Sequence, residues 1–76
     1  MSGYIFTEID QLVGVNLKIL REHSGVSRRL VADHLEVSCE QVQKYESGRN
    51  RISARRLYLL AELFEVPMAD FFKDLA

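Results

Sequence analysis

Glu40, Gln43, Lys44 and Ser47 fall at intervals that put them on one flank of an α-helix, at ~100° of rotation per residue. Together they present a carboxylate acceptor, an amide that donates and accepts, a cationic donor and a hydroxyl. That set complements nucleobase edges: an amide suits adenine, an ammonium suits guanine and a carboxylate suits the cytosine amino group. The same residues on an ordinary helix would be a solvated face, so the reading depends on what surrounds them. Arg28 and Arg29 lie upstream, and Arg49 and Arg51 follow at once. Guanidinium groups are suited to phosphate oxygens.

Other chemistries find less support. Cys39 is the only cysteine, so no internal disulfide forms, and with His23 and His34 it gives no metal-ligand spacing. No paired carboxylates, Ser-His or Cys-His arrangement, or glycine-rich phosphate loop is present, so neither an enzyme nor a cofactor is expected. Cysteine usage points to the reducing cytoplasm. The start "MSGYIFTEID" lacks a basic region followed by a long apolar run, so it is not read as a secretory signal. No apolar run approaches the ~20 residues that span a bilayer.

A net charge of −1 conceals an uneven distribution. From Val26 to Arg56 there are seven Lys and Arg against four Asp and Glu, a surplus of three positive charges; the remainder has three bases against seven acids. A polarised chain of this kind suits an anionic partner on one face.

The elements that must position these groups announce themselves at their starts. Val26-Ser27, Val37-Ser38 and Ile52-Ser53 each place an apolar residue before a serine, with Val31, Val42 and Leu57 five positions after the apolar one. This is the pattern of a hydrophobic staple with a serine N-cap, and Gln41 completes a capping box with Ser38. Val66-Pro67 with Phe71 repeats the spacing without a capping oxygen, and Thr7 with Asp10 is a weaker upstream version. The pattern predicts helices from about Glu8 to His23, Arg28 to about Glu36, Cys39 to Ser47, Ala54 to Glu65, and Pro67 to about Asp74. Ile9, Leu12, Val13, Leu17 and Leu20 are placed inward on the first; Leu57, Leu60, Ala61 and Phe64 on the fourth. The expected fold is all-α, a compact five-helix bundle with a helix-turn-helix formed by the second and third helices. Positions 1–6 are expected to be a flexible segment and 7–76 a single domain.

The run "LREHSGVSRRLVADHLEVSCEQVQKYESGRNRISARRLYLLAELFEVPMADFF" resembles the phage-repressor-like helix-turn-helix family, the Cro/CI type also called XRE. The likeness extends from about Leu12 to Phe72 and rests on several elements at matching spacing: the arginine-containing turn, the Gly-apolar-Ser step, the alanine of the second helix, the "YESG" ending and the capped fourth helix. It implies a lambda-repressor-like DNA-binding domain. Cys39, Glu40, Gln43 and Lys44 fall on the family's base-contacting positions. Arg28, Arg49, Asn50 and Arg51 fall on phosphate-contacting ones, and Ser27, Ser38 and Ser47 are assigned with them. Arg21 and Glu46 match a pair that joins the first helix to the third.

Three departures stand out. Glu36 occupies a position where the family has glycine, which implies a tighter or more strained turn. Arg28 replaces a glutamine, and Glu40 puts an acid on the reading face. Met68, Phe71, Phe72 and Leu75 are more apolar than so small a core needs; core packing and a symmetric dimer contact both account for them, and the second is carried forward as the candidate dimer interface.

The resemblance thus implies a sequence-specific transcriptional regulator, a repressor or self-regulating controller bound as a homodimer to a pseudo-palindromic operator in double-stranded DNA. The alternative is an antitoxin-type module that binds a toxin or other protein, with DNA secondary.

Overall fold

Three helix starts rest on a serine. In the computed structural model, which describes residues 8–74, Ser27 Oγ accepts from the Leu30 amide at 3.1 Å, Ser38 Oγ from Gln41 at 3.0 Å and Ser53 Oγ from Arg56 at 3.2 Å. They open α2 (Arg28–Leu35), α3 (Cys39–Glu46) and α4 (Ala54–Phe64), which follow α1 (Glu8–His23). Val26, Val37 and Ile52, the apolar residues before the caps, are partly buried against the core. No strand occurs among the described residues. Thr7, the segment 1–6 and Leu75 lie outside them.

The expected fifth α-helix is instead a five-residue 3-10 helix, Met68–Phe72. Pro67 supplies no side-chain cap and Lys73 is already extended. Five residues are too few to offset the cost of nucleating an α-helix. Asn16 on α1 closes the segment from the core side. It is fully buried, and its Nδ2 donates to the carbonyl oxygens of Phe71 at 2.8 Å, Lys73 at 2.7 Å and Asp70 at 3.5 Å.

Val13, Leu17, Val31, Leu35, Val42, Tyr45, Leu57, Leu60 and Phe71 form the core, with Ala32 and Ala61. α3 packs on α1 and α2, α2 also packs on α4, and the 3-10 segment leans on α1. Ile9 departs from expectation: it is 57% exposed, and Asp10, only 8% exposed, takes the inward position in the first turn of α1. Burying that carboxylate requires a partner, and Arg51 provides it through Nε at 3.1 Å and Nη2 at 3.3 Å.

Between α2 and α3 the chain reverses at Glu36, which adopts φ 59° and ψ 45°. The amides of Glu36 and Val37 return to the carbonyls of Asp33 and Ala32 at 3.2 and 2.9 Å, the paired bonds of a Schellman motif. A side chain in this left-handed region is strained, as expected at a position where the family has glycine. Glu65, at φ 56°, ends α4 in the same way.

Candidate nucleic-acid interface

The third helix is fastened by few contacts. Val42 and Tyr45 are buried on its inner side, and Glu46 is buried beside them. Gly14 of α1 passes against its last turn. A Cβ added to Gly14 would overlap the Tyr45 carbonyl oxygen and come to 2.9 Å from that of Glu46. The two backbones therefore approach as closely as a missing side chain permits.

Glu46 ties three helices together. Its Oε2 accepts from Arg21 Nε at 2.6 Å and its Oε1 from Arg28 Nε at 2.9 Å. Arg21 also donates through Nη2 to Oε1 at 3.4 Å and through Nη1 to the Val26 carbonyl at 3.1 Å. The Glu46 carboxylate is 4% exposed and Arg21 10%, whereas Arg28 remains 39% exposed. The family-implied Arg21–Glu46 pair thus has a third member, whose guanidinium still faces solvent.

On the outer side Glu40, Gln43 and Ser47 are exposed and Lys44 is half-buried. These four and Arg49 line one depression of about 300 Å³. The Lys44 carbonyl gathers the following loop, accepting from the Arg49 amide at 2.9 Å, the Asn50 amide at 3.3 Å and Ser47 Oγ at 3.1 Å. Gly48 permits this turn with φ 76°, and a Cβ there would meet Gln11 Cα at 2.9 Å. A second depression, about 160 Å³, lies on the other side of the Gln43–Ser47 ridge and is lined by Lys18, Arg28, Gln43, Glu46 and Ser47.

The structure therefore brings Glu40, Gln43, Lys44, Ser47 and Arg49 together, with Arg28 across the ridge. Cys39 is a half-buried free thiol at the start of α3, packed against the core. The Ser27 and Ser38 oxygens cap their helices, which leaves each hydroxyl hydrogen free to donate outward. Asn50 is half-buried next to Arg49. Arg51 is not brought to the ridge; it lines a separate apolar groove with Ile9, Asp10, Val13, Ile52, Leu57 and Phe72. Sequence reasoning missed Lys18, Asn16, Asp10 and Gly14. Asp10 was read only as part of a helix start, and Gly14 left a signal as a glycine within a helix otherwise free of breakers.

One assignment is corrected. Phe71 is fully buried and belongs to the core, the first of the two accounts its apolar character allowed. It is unavailable to a partner. Met68 is half-buried against the core and Phe72 is 49% exposed.

A helix-turn-helix domain model matches residues 12–71. The chain belongs to the helix-turn-helix family, and its curated relatives are transcriptional regulators. A transcriptional regulator in the ATPase CF(0) region of Rhodospirillum rubrum is 43% identical over 67 residues, 88% of this chain and 62% of that protein. An HTH-type transcriptional regulator of Rickettsia conorii is 39% identical over 71 residues, covering 93% and 57%. Among solved structures, the clp gene regulator ClgR from C. glutamicum superimposes with a TM-score of 0.78 at 25% identity, over 86% of this chain and 84% of that one. The chain spans about six-tenths of the length of these two curated relatives and about half that of an HTH-type transcriptional regulator of Sinorhizobium medicae that is 36% identical over 66 residues. No helix among the described residues is long and apolar enough to cross a membrane.

Proposed function

We propose that this chain is a sequence-specific regulator of transcription that acts in the cytoplasm by laying α3 into the major groove of duplex DNA. The observation that carries the reading is the Gln43–Ser47 ridge. It is polar and solvent-facing, with Glu40, Lys44 and Arg49 on one flank and Arg28 on the other. A major groove is about 12 Å wide and bordered by two phosphate strands, which suits a polar ridge with cations on both sides.

In this reading Gln43 and Lys44 pair with adenine and guanine edges. Glu40 accepts from cytosine or repels wrong sites, and Cys39 lies against a base or thymine methyl. Arg28, Arg49 and Asn50 hold phosphates, together with the hydroxyls of Ser27 and Ser38, and Ser47 joins them by turning its hydroxyl away from the Lys44 carbonyl. Arg51 is 61% exposed even while bridged to Asp10, so its guanidinium can serve a phosphate as well. Two copies joined through Met68, Phe72 and Leu75 would place two such helices about one duplex turn apart, ~34 Å, on an inverted repeat. Bound over a promoter, the dimer represses by exclusion.

Selection of bound sites from a random duplex pool tests this. Inverted-repeat sites should emerge, and Gln43→Ala or Lys44→Ala should weaken them by about 1–3 kcal/mol per lost base contact. A pool that yields no preferred sequence, or variants that bind the selected site as well as the parent does, would reject it. Intact binding of a protein partner under that outcome would favour the antitoxin-type module.

A further inference from the structure

The cavity across the ridge contains a group that the DNA-binding reading has not used. We propose that Lys18, on α1, is a phosphate anchor that clamps, with Arg28, one backbone phosphate of the strand opposite Arg49. The inference rests on the DNA-binding reading and assigns to it a residue outside the helix-turn-helix.

Three observations support the assignment. Lys18 and Arg28 come from different helices, yet both line the depression that shares Gln43 and Ser47 as its other wall. Lys18 is exposed and forms no ion pair among the described residues; Glu22, four positions on, lies 4.0 Å from Arg21 instead. The one acid lining the depression, Glu46, is already engaged by Arg21 and Arg28. Among the lining residues two cations face one buried carboxylate, a surplus of one positive charge, with a hydroxyl and an amide at the rim. A phosphodiester oxygen is an acceptor of matching sign and size. The companion depression places Arg49 on the opposite flank, so the ridge is bordered by cations where a groove is bordered by phosphates.

A base contact and a phosphate contact leave different marks. Losing a phosphate contact weakens all duplexes alike and flattens the salt dependence by about 0.9 in log–log slope per contact, hence ~1.8 for a dimer. The test is fluorescence anisotropy of the full chain on a ~20-bp duplex of random sequence and on a selected site, across ~50–200 mM KCl. Lys18→Gln is expected to flatten the slope on both duplexes and lower affinity by about the same factor on each. Its circular dichroism should match the parent's. An unchanged slope and affinity, with the parent still binding tightly, would overturn the Lys18 assignment while leaving the DNA-binding reading in place. So would a loss confined to one sequence. A parent chain without salt-dependent duplex affinity would overturn both.

Discussion

Asn16 donates its side-chain amide to the main-chain oxygen of Phe71 at 2.8 Å, across 55 positions of sequence. With the further bonds to Lys73 and Asp70, one buried amide closes the end of the Met68–Phe72 segment onto α1. Replacing it with alanine or leucine leaves buried carbonyl oxygens unsatisfied, at about 1–3 kcal/mol. The expected outcome for Asn16→Leu is a lower urea midpoint and faster amide exchange in residues 68–73 than in α4. A variant that keeps the parent's midpoint would show that water replaces the amide without loss.

Removing Glu46 strands Arg21. Both partners are nearly inaccessible, and an unpaired buried charge costs about 3–5 kcal/mol. A domain of this size holds only about 4–11 kcal/mol in total, so Glu46→Ala should lose a large share of its stability, read as a much lower urea midpoint. Replacing both partners with apolar residues of similar volume, Arg21→Met with Glu46→Leu, should recover most of the loss in urea denaturation. Failure of the double variant to recover would place the loss in packing rather than charge. Recovery of stability should not restore the orientation of Arg28, whose Nε rests on the same carboxylate.

Glu36 offers a gain. An L-residue in the left-handed region costs about 1–2 kcal/mol, and a glycine there returns ~0.4–1 of that to the freer unfolded chain. Glu36→Gly should therefore stabilise by about 0.5–1 kcal/mol, read as a raised urea midpoint at constant slope. Glu65→Gly, at the matching turn, should change the midpoint in the same direction. A drop for both would mean that the carboxylates contribute something the turn geometry does not reveal.

What the sequence disclosed was what neighbours in the chain decide. Ser27, Ser38 and Ser53 cap helices because the hydroxyl and the amide it accepts from are three residues apart, a relation visible in one dimension. The outward face of α3 followed from helical period alone, and the Arg21–Glu46 pair came from family likeness. Ile9 was misjudged because its exposure is set from far away, and for Phe71 the core reading held over the dimer one. Arg51, 41 residues on, pairs with Asp10, which takes the inward position in place of Ile9. Lys18 joins Arg28 only through the way α1 crosses α3, which no spacing encodes.

The contact between Gly14 and the last turn of α3 sets one further limit. Main chain meets main chain there, with no rotamer to absorb a change of distance. How far the third helix projects from the molecule is accordingly a rigid offset, fixed by the want of a single methyl group. A bulkier residue at that point would push α3 outward or tilt it, so the standing of its polar flank is governed from the opposite side of the helix.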